Sequence, residues 1–123
     1  KKSDKMPRIF RINWFRKEEG RFLWPGFGEN MRILKWIVDR CHGRVDAVES
    51  PIGYMPRPED LDRDGLDVSD KDMKSLFEVD TPGWHGRLAD QAKFFGQFGD
   101  RLPKELSAEA KALETRLNTM KRP

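Results

Sequence analysis

Residues 13–30, N-W-F-R-K-E-E-G-R-F-L-W-P-G-F-G-E-N, hold the side chains best placed to do chemistry. Five of the chain's twelve Phe and Trp residues fall in these 18 positions: Trp14, Phe15, Phe22, Trp24 and Phe27. Arg16, Lys17 and Arg21 are interleaved with them, as are Gly20, Pro25, Gly26 and Gly28. Rings buried in a regular element keep that element's period, and these do not. A flat, weakly hydrated ligand such as a purine base can be sandwiched by such rings for about 1–3 kcal/mol per base. Stacking does not choose among bases, so selection needs hydrogen bonds at the base edge. The amide of Asn30 carries both a donor and an acceptor, and Gly26 and Gly28 let the main chain approach closely. The competing reading makes the same five rings the core of a hairpin packed on the following helix, with Asn30 only a helix N-cap. From composition alone burial is favoured, because aromatic side chains contribute mostly through buried area.

Other chemistry has weaker footing. The chain lacks G-x-x-x-x-G-K-[ST], H-E-x-x-H and C-x-x-C. His42 and His85 are isolated and read as ordinary surface or helix-end residues. Cys41 is expected on the inward side of a helix with no recognisable catalytic partner. Asp60, Asp62, Asp64 and Gly65 match the opening register of a calcium loop, but Lys71 stands where its bidentate Glu belongs. These carboxylates therefore read as a solvated loop. No catalytic residue and no metal ligand is assigned.

The elements around the aromatic stretch follow from pattern. Residues 1–7 form a charged lead-in, and residues 8–123 a single unit. Residues 8–15 are rich in β-branched and aromatic side chains and predict a strand. Residues 16–20 are a turn, 21–24 a short extended piece, and Pro25-Gly26 a second turn. A helix opens at Gly28-Glu29-Asn30 and runs to about Arg40, with Ile33, Leu34, Ile37 and Cys41 inward, Trp36 and Val38 widening the stripe, and Gly43 as its stop. Residues 51–55 predict a short edge strand between prolines. Ser69 caps a short helix with Met73, Leu76 and Phe77 inward. Thr81-Pro82 starts a third helix that places Trp84, Leu88, Gln91, Ala92, Phe95 and Phe98 on one face and ends at Gly99. Pro103 or Ser107 opens a fourth, with Leu106, Ala110, Leu113, Leu117 and Met120 spaced 4, 3, 4, 3. The fold class is mixed α/β and mainly helical, with about four helices and one or two short strands.

Bulk properties bound the possible partners. The 123 residues suit one ordinary domain, and a net charge of +3 permits an anionic ligand without arguing for nucleic acid. The positive charge is concentrated early: Lys1, Lys2, Lys5, Arg8, Arg11, Arg16 and Lys17 face only Asp4 in the first 17 residues. The single cysteine forbids an intrachain disulfide, so a reducing, cytoplasmic setting is expected. No apolar run approaches a membrane span, so no membrane partner is expected.

The runs I-F-R-I-N-W-F-R-K and G-R-F-L-W-P-G-F-G-E-N closely resemble the C-terminal part of GTP-dependent phosphoenolpyruvate carboxykinase. S-P-I-G-Y-M-P (residues 50–56), the L-x-x-x-G-L segment at 61–66 and the closing helical pair match in order, so the resemblance runs from about Pro7 to Met120. It implies a portion of the C-terminal nucleotide-binding domain of that fold. It also implies an enzyme of gluconeogenesis that converts oxaloacetate and GTP to phosphoenolpyruvate, GDP and carbon dioxide. On the matching positions, the resemblance implies that Phe15 and Phe27 flank the guanine and that Phe22 is the third wall. It implies that Phe27-Gly28-Glu29-Asn30 is the base-contacting run, with Asn30 selecting guanine. It also implies that Trp14 lies beside the pocket and that Pro25-Gly26 shape its turn. Two departures stand out: the loop between Phe15 and Phe22 is a residue shorter than is common in the family, and Met31 replaces a usual serine. The family's phosphate-binding loop, catalytic lysine and histidine, substrate arginines and ligands for manganese or magnesium belong to the part before this segment.

Three functions are therefore in contention. The first is a guanine-nucleotide-recognising segment, inactive alone, whose partners are GTP or GDP and the remainder of the carboxykinase chain. The second is a basic-aromatic module for single-stranded nucleic acid, opposed by the mild net charge. The third is a helical structural fragment that binds no ligand because preorganisation is lost. Self-association through the exposed edge of the first strand is also expected.

Overall fold

The structure, a computed structural model, describes residues 6–120. Most of the expected lead-in thus lies outside the described residues. The elements in order are strands β1 (Lys17–Glu18) and β2 (Arg21–Phe22), helix α1 (Asn30–Cys41), strands β3 (Val48–Ser50) and β4 (Gly53–Met55), and helices α2 (Asp70–Phe77), α3 (Thr81–Gly96) and α4 (Lys104–Thr119). Short 3-10 turns lie at Phe27–Glu29, Pro58–Asp60 and Gly99–Arg101. The architecture is mixed α/β and mainly helical, as the periodicities predict. The described residues form two compact units: residues 6–48 with 55–77, and residues 49–54 with 78–120.

The first unit is built around Trp36. It is buried with Leu61, Val68 and Met73, and Phe10, Ile33, Ile37, Val45, Leu66, Leu76 and Phe77 pack against that nucleus. The inward face of α1 is thus Ile33, Trp36 and Ile37, spaced three and four residues apart. Leu34, Val38 and Cys41, expected inward, are exposed. The largest ring sets the rotation of the helix, and at 3.6 residues per turn these three lie roughly 140–160° around from it, on nearly the opposite side. Trp36 Nε1 is buried without a hydrogen-bond partner among the described residues. Gly43 does end α1. Its N–H donates to the Arg40 carbonyl at 3.2 Å and that of Arg44 to the Asp39 carbonyl at 2.9 Å, the paired bonds of a Schellman cap.

The strand expected over 8–15 is absent. Residues 6–13 carry no strand pairing and lead into a turn at Trp14-Phe15. Side chains, not backbone ladders, hold this segment. The Phe10 ring stands edge-on to Trp36, with centroids 6.3 Å apart, and Arg8 Nη1 donates to the Arg40 carbonyl at 2.6 Å. The strand edge on which self-association was expected is therefore not present. At α2, Ser69 Oγ accepts from the Asp72 N–H at 3.1 Å, which is the predicted cap, and Met73 is buried inward.

In the second unit α3 and α4 pack as a helical pair. Asp80, not Thr81, caps α3: its carboxylate accepts from the Gly83 N–H at 3.1 Å, and Pro82 sits in the first turn. Helix α3 ends at Gly96, short of Gly99, and Gln91 and Ala92 on its expected inner face are exposed. Leu117 is buried on α4 as predicted, whereas Leu106 is exposed. The predicted short strand at 51–55 is found as β4, paired with β3 across the turn at Pro51-Ile52. Ser50 Oγ donates to the Gly53 carbonyl at 2.6 Å, and Arg116 Nε to the Pro51 carbonyl at 2.9 Å.

Candidate functional site

The aromatic stretch lies within the first unit and is shaped by one tight hairpin. β1 and β2 are antiparallel, with Lys17 opposite Phe22 and Glu18 opposite Arg21. Glu19 and Gly20 alone connect them, with φ of 51° and 80°. Two consecutive positive φ values mark the I′ turn, whose twist matches that of the strands it joins. A Leu23 N–H to Arg16 carbonyl bond at 3.0 Å extends the pairing by one step. On the approach, Asn13 Oδ1 accepts from the Phe15 N–H at 3.0 Å and folds Trp14-Phe15 into position. The far side is set by Gly26, at φ 107° and ψ −148°, a region open essentially only to glycine. Its carbonyl accepts from the Glu29 N–H at 3.0 Å and starts the 3-10 turn that leads into α1.

This backbone sorts the rings into two sets. Trp14 and Trp24 pack together with centroids 6.3 Å apart, Trp14 half-buried and Trp24 only 5% exposed. Phe15 and Phe22 meet edge to face at 6.2 Å on the outer side, yet they remain 73% and 48% exposed. Phe27 is 94% exposed and engages no other ring among the described residues. The structure thus brings Phe15 and Phe22 together and leaves Phe27 projecting from the turn. The hairpin-core reading holds for the tryptophans alone.

The polar members divide similarly. Asn30 is the first residue of α1, whose N-cap position is Glu29, so the expected N-cap role is not found; its Oδ1 accepts from Trp24 Nε1 at 2.9 Å. Glu29 is paired with Arg32, which also donates to the Asp62 carbonyl at 2.9 Å. The Glu29 carboxylate is therefore committed to the fold, and the Arg32 guanidinium is held further in its charged form by it. Pro25 is exposed, and a side chain added at Gly28 would meet open space. An open groove lined by Gly28, Glu29, Met31, Arg32, Lys35, Asp62 and Asp64 runs beside this turn, and the three phenylalanines do not line it.

Several contributors were not found from sequence. Arg21 Nη2 bonds Asp72 Oδ1 at 2.9 Å and ties the hairpin to α2. The hydrogen bond and charge of Arg21 hold the Asp72 carboxyl below the usual carboxylate range, with the Arg21 guanidinium shifted upward in turn. The Lys17 ammonium stands 4.3 Å from the Phe22 ring centroid. The only sequence signal for the bridge is the carboxylate three residues after the Ser69 cap, which by pattern belongs to a capping box. Among the described residues no group of three or more His, Cys, Asp or Glu is placed to hold a metal. No helix among them is long and apolar enough to cross a membrane.

Comparison with known proteins gives a consistent picture. The family profile described as the phosphoenolpyruvate carboxykinase C-terminal P-loop domain matches residues 1–116. The chain is 46% identical over 120 residues to "Phosphoenolpyruvate carboxykinase [GTP]" of Corynebacterium kroppenstedtii, covering 97% of this chain and 19% of that protein. It is 49% identical over 114 residues to the protein of the same name from Neocallimastix frontalis, covering 92% and 19%. For that of Corynebacterium jeikeium the values are 45% over 122 residues, 98% and 20%. The chain spans about a fifth of the length of the curated relatives it matches.

Proposed function

The chain belongs to the GTP-dependent phosphoenolpyruvate carboxykinase family, and on that premise we propose that residues 8–123 are the guanine-recognising C-terminal segment of such an enzyme. The whole enzyme converts oxaloacetate and GTP to phosphoenolpyruvate, GDP and carbon dioxide. This segment binds the base of GTP or GDP and packs against the remainder of the carboxykinase chain. Phe15 and Phe27 flank the base, Phe22 backs Phe15, and Asn30 reads the edge. Trp14 lies beside the pocket, while Pro25, Gly26, Gly28 and Glu29 shape the turn that carries Phe27 and Asn30.

One observation carries this reading. The hairpin buries Trp24 and leaves three phenylalanines of the same stretch largely in water. Folding gains little from an exposed ring, so a paired Phe15 and Phe22 and a projecting Phe27 in one short stretch suit a surface that is covered by a ligand. The segment is inactive alone. It has no lysine-bearing phosphate loop and no described cluster fit for a divalent cation, and it represents about a fifth of the relatives' length.

The decisive experiment titrates the intact carboxykinase and its Asn30→Ala variant with GTP and ATP. The variant is expected to lose most of the preference for GTP, and an unchanged preference would sink the base-reading role. For the isolated chain, an NMR titration with GTP is expected to shift resonances of residues 13–30; no shift there would leave it a purely structural element.

A further inference from the structure

An amide side chain reads a base edge only if it is held the right way round. Its oxygen and nitrogen are nearly the same size, and turning the group over exchanges acceptor for donor. Among the described residues the Asn30 amide is held by one hydrogen bond. Trp24 Nε1 lies 2.9 Å from Asn30 Oδ1, and the indole it belongs to is buried. An indole N–H donates and never accepts. The atom facing it must therefore be the amide oxygen, which leaves Nδ2 as the free end of Asn30. Asn30 is only half-buried, so that end is within reach of a ligand.

We propose that Trp24 is the positioning residue for base selection: by holding Oδ1 it makes Asn30 present a donor, which suits O6 of guanine and opposes the 6-amino group of adenine. This rests on the reading of the aromatic stretch as a guanine site. A guanine or hypoxanthine base offers a carbonyl acceptor at position 6. Adenine offers a second donor, and two donors facing each other leave both unsatisfied, a penalty that corresponds to about 5- to 150-fold in affinity. The stacking phenylalanines contribute nothing to this choice, so selection lies in how the amide is fixed.

The test uses the intact carboxykinase with GTP, ITP and ATP. Trp24→Phe keeps a buried ring and removes the N–H, freeing the Asn30 amide to turn over. The ratio of kcat/KM for GTP over ATP should fall at least fivefold, in part through a rise in the ATP value, while ITP follows GTP. A purely structural role would lower all three together, and that result overturns the proposal, as does an unchanged ratio. If Trp24→Phe does not fold, Asn30→Asp serves instead. Its carboxylate accepts from Trp24 with one oxygen and presents only an acceptor with the other, so it should shift preference towards ATP. Retained GTP preference in Asn30→Asp overturns the proposal. Asn30→Ala separates the two levels of the argument. If it leaves the GTP preference intact, the guanine-site reading fails. If it abolishes the preference while Trp24→Phe does not alter it, only the role of Trp24 fails.

Discussion

Replacing Phe27 with alanine separates the binding role of the aromatic stretch from its structural role. Full burial of a Phe side chain contributes about 1.5–3 kcal/mol to folding. With the ring 94% exposed, its share is about 0.2 kcal/mol or less by the same scaling. Phe27→Ala should therefore leave the thermal midpoint essentially where it was, within the ±0.5 kcal/mol typical of surface substitutions. Nucleotide binding should respond quite differently. Removing one stacking face costs about 1–3 kcal/mol, a loss of about 5- to 150-fold in affinity. Stacking does not discriminate between purines, so GTP and ATP should weaken by the same factor, in contrast to Asn30→Ala. The assay is a calorimetric titration of the intact carboxykinase and its variant with each nucleotide, alongside thermal unfolding of both. An affinity within twofold of the parent would refute the assignment of Phe27 as a base-flanking ring. A large drop in thermal midpoint would show that the ring is covered by protein and refute the exposure argument.

Other consequences of the structure can be tested on stability. Trp36→Ala should destabilise the first unit by about 3–5 kcal/mol, whereas Trp36→Phe should cost clearly less, because it also removes a buried N–H with no acceptor; urea unfolding of the two variants compares them. Asp80→Ala should cost about 0.5–2 kcal/mol through loss of the α3 cap, seen as a lower thermal midpoint. The Asp72 carboxyl is depressed in the folded state, chiefly by its hydrogen bond to Arg21. Its contribution is therefore full above the unfolded carboxylate range, near pH 4, and lost as pH falls through the lower folded value. Asp72→Asn should accordingly destabilise at pH 7 and converge with the parent in acid; an equal difference at both pH values would contradict the assignment.

Helix content was legible because helices are local. Ser69 and Gly43 announce their caps within a few residues, and Met73 and Leu117 fall on periodic stripes that bury as expected. The first segment failed as a strand because a strand needs a partner, which no local pattern supplies. Arg8 and Phe10 instead reach α1 across about thirty positions. The rotation of α1 departs from its apolar pattern for a related reason: Leu34 and Cys41 weigh as much as Trp36 in the pattern, but not in the packing. At the site, the residue types were readable, but the sorting of tryptophans inward and phenylalanines outward depends on a two-residue turn at Glu19-Gly20 that lacks the usual Asn-Gly signature. The Trp24–Asn30 bond and the Arg21–Asp72 bridge join residues whose proximity exists only after folding.

The cation over Phe22 also has a consequence for colloidal behaviour. Exposed phenylalanines are sticky, and a protein that keeps three of them in water risks pairing with its own copies. Lys17 sits 4.3 Å from the centre of one such ring and travels with it. For two copies to stack Phe22 against Phe22 through these covered faces, two ammonium groups must be brought together or pushed aside, whereas a nucleotide arrives with phosphates that welcome them. On the proposed guanine-site reading, the same lysine would oppose pairing of copies through Phe22 without opposing an anionic ligand.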